Sequence, residues 1–398
     1  MSFLDEIALQ HEELESPKAF WRWAALAAIS AVVKDKVYFN KHLYNLYPNI
    51  YVMLHADSGL KKGPPISMAK KLVGMVNNTK IISGRSSIQG ILKDMGTAKT
   101  APGGKITSQS SVFICSSELT SSIVSDPVAM DILTDLYDRQ YNDGKWQSLL
   151  KMESFSLNNP TLTMLVGTNE AHSDDFFARK DVQGGYFART FIIHESKRNK
   201  VNSLMFQLEN PPNYIAAAEY LKELAKLEGS FEMSHATRTY FNDWYVEFCN
   251  VKDLQQIKDP TGTLNRFDDA ILKTAMLISL GRSPDLEITQ TDLETAIKEC
   301  EKLVGNVRKT TMGRGKSVWA TEKALVIQEL LNRDNHTISR LQLNKKYYLH
   351  ANSSEWDEIM VSLEAAGIVK IESHGNQVMY VMPEKIAAEF KVHLAGKQ

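Results

Sequence analysis

The stretch His55–Ser67, HADSGLKKGPPIS, decides how this sequence is read. It follows the apolar run NIYVML (49–54) and leads into ISMAKKLVGMV (66–76), which has helical spacing. A loop with Gly and Lys between a strand and a helix is where a nucleotide phosphate commonly sits. The usual spelling of such a loop is G-x-x-x-x-G-K-[ST]. Laid on that template, Ala56 takes the first Gly, Lys61 the second and Gly63 the Ser/Thr, so Lys62 alone matches. Gly59 and Gly63 permit the backbone shapes that a phosphate cradle needs. Lys62 is placed to reach β- and γ-phosphates, and Pro64 and Pro65 fall in the first helical turn, where a missing N–H costs little. The candidate phosphate contacts are therefore Ser58, Gly59, Lys61, Lys62 and Gly63. Gly63 cannot supply the hydroxyl that ordinarily holds Mg²⁺, and Lys61 puts a second cation where Gly is expected. On spacing alone, a phosphate site and an ordinary strand–turn–helix are equally good readings.

Around this loop, strands and helices alternate. Residues 50–55, 79–82, 111–116, 161–167 and 189–194 read as strands, and 64–77, 86–95 and 127–138 as helices. That alternation predicts an α/β fold with a mainly parallel sheet covered on both faces. Polar, Gly-bearing segments at 97–109, 138–148 and 170–185 read as loops. Upstream, Ser16-Pro17 spells a helix start, with Ser16 as N-cap, before a nearly all-apolar helix from Phe20 to Val33. Downstream, 210–308 is all-helical; its last helix opens on TQTDLETAI, a capping pattern. TTMGRGKS (310–317) reads as a linker. The tail, 318–385, is three helices followed by two strands turning at His374–Asn376, the layout of a winged helix.

Three further stretches carry polar residues where the sheet would present them. SVFICSSEL (111–119) is an apolar strand ending in Glu118, the position from which an acid orients water and holds Mg²⁺. Ser117 stands where an Asp often stands; the alternative is a buried strand with a surface Glu. TLTMLVGTNE (161–170) ends in Thr168-Asn169 at a carboxyl edge, where open α/β sheets bind ligands; the alternative is an Asx turn. GGYFARTFIIHE (184–195) places Arg189 just before a strand, suited to an arginine finger reaching a neighbouring subunit, with Arg179 as a competitor. The alternative for either is a surface arginine. Each signal is weak, but their order is that of phosphate loop, acid strand, sensor strand and finger in ring-forming ATPases.

Composition narrows the classes. The 398 residues have room for two or three domains. A net charge of -1 and a pI near 6.8 exclude a global basic field, so DNA contact requires local patches or a ring of subunits. Three scattered cysteines match no zinc or disulfide spacing and suit a reducing cytosol. No run reaches the ~18 apolar residues of a membrane span, and no signal-peptide core is present. A soluble, cytoplasmic protein without membrane contact is expected.

Together these stretches resemble the phage and mobile-element P-loop ATPases of the DUF3987 type, the helicase-like half of many viral primase-helicases. The resemblance rests on SPKAFWRWAALAAISAVV, LYPNIYVMLHADSGLKKGPPI, VFICSSEL, DLYD, NPTLTMLVGTNE, GGYFARTFII, FNDWY, ILKTAMLISL and ITQTDLETAI, over roughly residues 16–308. The loop is also similar to that of MCM-type AAA+ helicases. The resemblance implies a P-loop NTPase (AAA+/RecA-like) core that uses ATP and Mg²⁺ and assembles as a hexameric ring. The implied roles are phosphate binding for Lys62, water and metal for Glu118, sensing for Asn169 and an arginine finger for Arg189, with Arg266 as a second sensor. The implied function is an ATP-dependent DNA helicase or translocase of phage or mobile-element replication, located in the cytoplasm of a bacterial host if viral. A replication initiator or helicase loader with weak hydrolysis is the first alternative, and a structural oligomer with a vestigial site the second.

The expected domains are an N-terminal helical region (1–45), the ATPase core (46–209), a helical lid-like region (210–308), the linker (309–317) and the winged helix (318–398). Candidate nucleic-acid contacts are Lys105, Lys145 and Trp146 at a ring pore, on single-stranded DNA. Lys345 and Lys346 in SRLQLNKKYYLH are candidates in the tail, through a third helix and wing. Other replication proteins are expected partners.

Overall fold

A computed structural model describes the chain except for residues 1, 85, 97–98, 101–105, 108, 119–125, 139–144, 150–153, 170–184, 203–210, 255–260, 312–318, 376 and 396–398. The chain forms two compact units: Met1–Val251 with Lys258–Asn306, and Lys252–Ile257 with Val307–Gln398.

The first unit opens with helices α1 (Phe3–Gln10) and α2 (Lys18–Val33), then strands β1 (Val37–Asn40) and β2 (Asn45–Leu46). Next come β3 (Tyr51–Ala56), α3 (Gly63–Val76), β4 (Lys80–Ile82) and α4 (Ile88–Gly96). A small pair, β5 (Lys99–Thr100) and β6 (Ile106–Thr107), precedes β7 (Gln109–Ser116), α5 (Pro127–Tyr137), β8 (Lys145–Leu149), β9 (Ser154–Asn169) and β10 (Thr190–His194). The helical part contains α6 (Ile215–Leu224), the short β11 (Gly229–Ser230), α7 (His235–Leu254), α8 (Phe267–Arg282) and α9 (Gln290–Thr311).

The central sheet runs β10-β3-β9-β7-β4, every neighbouring pair parallel, with β8 antiparallel to β9. The fold is therefore mixed α/β around a parallel sheet. All six residues of β3 are buried, as a central parallel strand with both faces covered requires. From Phe20 to Val33 nearly every side chain of α2 is buried, so this apolar run is an internal helix.

Register decides what meets at the carboxyl edge. Ala56 is paired with Asn169, His55 with Thr168 and with His194, and Ser116 with Val166. The turn after β3, the end of β9 and the end of β7 thus lie side by side, with β9 in the middle. Gly167 makes this closeness possible: a Cβ there would lie 2.3 Å from the Ser117 carbonyl oxygen.

Two expectations change. The segment 138–148 is not all loop, because Lys145–Leu149 forms β8 against an extended β9. Most of the 210–308 region, up to Val251 and again over Lys258–Asn306, falls in the same compact unit as the sheet, and α8 is buried along nearly its whole length. Ser16 does not cap α2, whose N-cap is Pro17 with no side-chain hydrogen bond. The TQTDLETAI cap does form, with Thr289 and Asp292 exchanging hydrogen bonds of 2.9 and 3.2 Å.

The second unit holds α10 (Ala320–Leu331), β12 (Thr337–Ser339), α11 (Arg340–Lys346), α12 (Ser353–Ala365), β13 (Lys370–His374), β14 (Gln377–Val381) and α13 (Glu384–Ala395). Its antiparallel sheet has the order β12-β14-β13. Trp356, Ile338, Leu343, Ile359, Met360 and Tyr380 lie in its own core.

Candidate functional site

The loop from Asp57 to Lys62 leaves the carboxyl end of β3 and enters the N-terminus of α3, whose first turn carries Pro64 and Pro65. Aligned N–H groups and the helix dipole favour an anion there. Ser58 and Gly59 are exposed, Lys61 is exposed and Lys62 is buried. Gly59 takes φ +91°, and neither Gly59 nor Gly63 has a heavy atom within 4 Å of where a Cβ would be. The backbone is therefore open to a group approaching at those two positions.

Lys61 adopts φ +52°. It occupies the template position of the second Gly, so the loop keeps a glycine-like backbone shape with a lysine in place. That conformation costs an L-residue roughly 1–2 kcal/mol. The Lys62 side chain folds back across the loop, where Nζ donates to the carbonyls of Ala56 at 2.7 Å and Asp57 at 3.0 Å. Its ammonium sits over the loop that would enclose a phosphate.

His55 is the penultimate residue of β3, and its Nδ1 lies 2.8 Å from Nδ1 of His194 at the end of β10. One ring donates and the other accepts, so both cannot be protonated in this arrangement. Burial, then the neighbouring His194 and Lys62, push the His55 imidazole down to about 4. The imidazole two residues before the loop is thus held neutral beside the loop's cation.

Asn169, at the end of β9, pairs its backbone with Ala56, the residue before the loop. Glu118 lies two residues beyond β7, exposed, with its carbonyl accepting from Ser116 Oγ at 2.7 Å. The structure therefore brings the loop, Asn169 and Glu118 to one edge. Asp57, exposed on the loop itself, is an acid that the motif comparison passed over, because the template leaves its position open.

Arg189 is placed elsewhere. It precedes β10, and Thr190 is level with Tyr51, so it lies at the amino edge, opposite the loop. It is 8 % exposed. Its Nε donates to Asp138 Oδ2 at 3.0 Å, Nη2 contacts the same oxygen and Nη1 donates to the Gly185 carbonyl at 2.7 Å. Arg266 Nη1 donates to the other Asp138 oxygen at 3.1 Å. The expected finger and second sensor thus share the partly buried Asp138 carboxylate, and neither is an exposed arginine facing this chain's own loop. Arg179 lies outside the described residues.

Beside this cluster, Lys273 of α8 is fully buried. Its Nζ donates to Asn49 O and Oδ1 at 3.0 and 2.8 Å and lies 3.8 Å from the Tyr137 ring centroid. Burial pushes this amine down to about 7, although Asp269 and Asp138 pull the other way. Nothing in the local spelling marks Lys273 as internal except its place inside the apolar run ILKTAMLISL.

The nucleic-acid candidates separate. Lys145 on β8 is exposed, but Trp146 is 7 % exposed and unavailable for base stacking. Lys105 lies outside the described residues. Lys345 is exposed, whereas Lys346 pairs with Glu329 at 2.8 Å, which also accepts from the core residue Tyr347 at 2.9 Å. The third large helix of this unit, SSEWDEIMVSLEA, contains no Lys or Arg. Glu358 and Glu364 are exposed on it, and Asp357 is paired with Arg340 at 2.5 Å.

No family model and no curated protein matches this chain. What the structure establishes is the class: a mixed α/β protein with a central parallel sheet, whose carboxyl edge gathers a Gly/Lys loop and two polar strand ends. The loop fits a polyphosphate, with open glycine positions, a helix N-terminus and two lysines. The fit to Mg²⁺ is poorer. Glu118 and Asp57 are the nearby acids, Gly63 has no hydroxyl, and no group of three or more metal-ligating side chains occurs among the described residues. Nor is any described helix long and apolar enough to cross a membrane.

Proposed function

We propose that this chain is a P-loop ATPase of the AAA+/RecA-like kind that works on DNA in phage or mobile-element replication, as a helicase or translocase assembled into a ring. The observation that carries the reading is the meeting of three elements at one sheet edge: the Lys61-Lys62 loop at the start of α3, Asn169 beside Ala56, and Glu118 across β9. In this reading Lys62 exchanges its loop carbonyls for β- and γ-phosphate oxygens. Asn169 reports the γ-phosphate and Glu118 orients the attacking water. Mg²⁺, bound mainly through the phosphates, would neutralise their charge. An arginine finger would come from a neighbouring subunit; if it is Arg189, assembly has to open its pair with Asp138. The small second unit, in its winged-helix reading, is better suited to protein contact than to DNA through its third helix.

The test is equilibrium binding of a fluorescent ATP analogue to the wild type and to Lys62→Ala. Loss of binding in the variant supports the loop assignment; unchanged affinity overturns it.

Gly63 and Ser117 favour a second reading, a nucleotide-dependent initiator or helicase loader that binds ATP and hydrolyses it slowly. Strand displacement on a forked duplex, measured beside ATP turnover with and without single-stranded DNA, separates the two. DNA-stimulated turnover without unwinding would sink the helicase. A structural oligomer with a vestigial site is the outcome if no ATP analogue binds at all.

A further inference from the structure

We propose that Ser16 is a positioning residue for the phosphate loop, acting through the Lys61 peptide from 45 residues upstream. This inference rests on the reading of the loop as a phosphate site. Ser16 is 1 % exposed, and its Oγ donates to the Lys61 carbonyl at 2.7 Å. Lys61 is the loop residue held at positive φ without being glycine. Something must hold a lysine there, and the serine hydroxyl is attached to that very residue.

The serine is itself fixed. The Trp21 Nε1 donates to the Ser16 carbonyl at 3.2 Å, and the Trp21 ring stacks on His11 at 3.8 Å between centroids. His11 is tied to Ile7 O at 2.6 Å and to the Tyr214 hydroxyl at 2.8 Å. Next to Ser16, the Glu15 carboxylate lies 3.8 Å from Lys61 Nζ and 3.1 Å from Arg198 Nη1. The segment between α1 and α2 is thus a strap anchored in the fold at one end and bonded to the loop at the other.

Peptide planarity gives the strap its consequence. The Lys61 carbonyl and the Lys62 N–H belong to one rigid plane and point in opposite directions. Drawing the carbonyl toward Ser16 turns the Lys62 N–H away from the strap and fixes the start of the run of N–H groups that enters α3. Without the hydroxyl, Lys61 relaxes toward negative φ and that N–H rotates.

The experiment measures the Kd of the fluorescent ATP analogue for Ser16→Ala, Ser16→Thr, Lys62→Ala, Lys61→Gly and the double variant Ser16→Ala/Lys61→Gly. Ser16→Ala is expected to weaken binding about five- to tenfold, the worth of one buried hydrogen bond. Ser16→Thr keeps the hydroxyl and binds as the wild type does. Lys61→Gly removes a cation from the site and sets its own baseline; in that background Ser16→Ala is expected to cost less than about twofold, because glycine takes positive φ unaided, whereas a merely structural serine would cost the same in both backgrounds. Should Ser16→Ala fail to fold, the near-isosteric Ser16→Cys takes its place, with the same direction and the same dependence on Lys61 expected. A Ser16→Ala affinity within about twofold of wild type, less than one hydrogen bond's worth, overturns the strap if Lys62→Ala still abolishes binding. An equal loss from Ser16→Ala in the wild-type and Lys61→Gly backgrounds overturns it as well. Retained binding in Lys62→Ala instead overturns the phosphate site itself.

Discussion

Arg189 and Asp138 form a partly buried ion pair at the amino edge of the sheet, with Arg189 Nε 3.0 Å from Asp138 Oδ2 and the second carboxylate oxygen taken by Arg266 at 3.1 Å. One carboxylate therefore satisfies two guanidinium groups. Asp138 caps the end of α5, Arg189 directly precedes β10 and Arg266 precedes α8, so three elements are joined at one point. The two substitutions should consequently differ. Asp138→Ala removes the acceptor both arginines share and is expected to cost about 1.5–3 kcal/mol, the range for hydrogen bonds to charged groups. Arg189→Ala leaves Asp138 still paired with Arg266 and should cost less. Urea unfolding of both variants checks the order, and ATP-analogue binding by folded Arg189→Ala should be unchanged, because the loop lies at the opposite edge.

Gly167→Ala should damage the carboxyl edge directly. The added methyl would fall 2.3 Å from the Ser117 carbonyl oxygen, which is backbone and cannot swing aside. The β7 end must shift, at a cost of roughly 1–3 kcal/mol typical of overpacking. Thermal unfolding reads that cost. Reduced turnover at normal ATP-analogue affinity would show that Glu118 moved while the loop did not.

The buried Lys273 predicts a pH dependence above neutrality. Its amine is pushed from the ordinary 10.5 down to about 7 in the folded chain. The unfolded chain therefore holds the extra proton between about pH 7 and pH 10.5, and stability attributable to this group rises with pH across that window. Lys273→Met should remove that contribution, so the difference in unfolding free energy between wild type and variant shifts toward wild type as pH increases from 7 to 10. A difference independent of pH would mean that the amine stays charged.

His55 predicts the opposite limb. Its imidazole is pushed from 6.5 to about 4, so the unfolded chain binds more protons between those values. The stability this group contributes is present above pH 6.5 and is lost as pH falls toward 4. His55→Gln should flatten the acid limb of the unfolding curve. NMR titration of the His55 and His194 ring protons gives an independent reading of the same shift.

Charge distribution makes a prediction for the second unit. Lys346→Ala should lower stability through Glu329, which it helps to hold with Arg333 and Tyr347. Lys345→Ala, with an exposed side chain, should not. If the chain binds single-stranded DNA, the salt slope of binding should drop for Lys145→Ala more than for Lys346→Ala, since only the former is on a described pore candidate and unpaired by Glu329.

Much of the architecture was legible in the order of residues. The five core strands and the helices between them follow from short apolar runs punctuated by Gly, Pro and Asp. Those signals are local, and burial on both faces of a parallel sheet leaves them intact in the sequence. The extension of β9 and the existence of β8 were not legible, because a polar segment such as Lys145–Leu149 becomes a strand only when another strand offers it hydrogen-bond partners. The burial of Lys273 and of Trp146 was not legible for a related reason: burial of a single side chain is set by neighbours distant in the chain.

The sequence by itself determined the loop's residue types, the Lys62 position, the strand endings at Glu118 and Asn169, and the α/β alternation, all of which are properties of contiguous stretches. Only the tertiary structure decided which strand ends share an edge, that Arg189 and Arg266 converge on Asp138, and what Ser16 does. Read locally, Ser16 is an N-cap for the helix beginning beside it. In the folded chain its hydroxyl is turned to the Lys61 carbonyl instead. A hydroxyl bonds to the acceptor that packing places within reach, and sequence distance does not enter that choice.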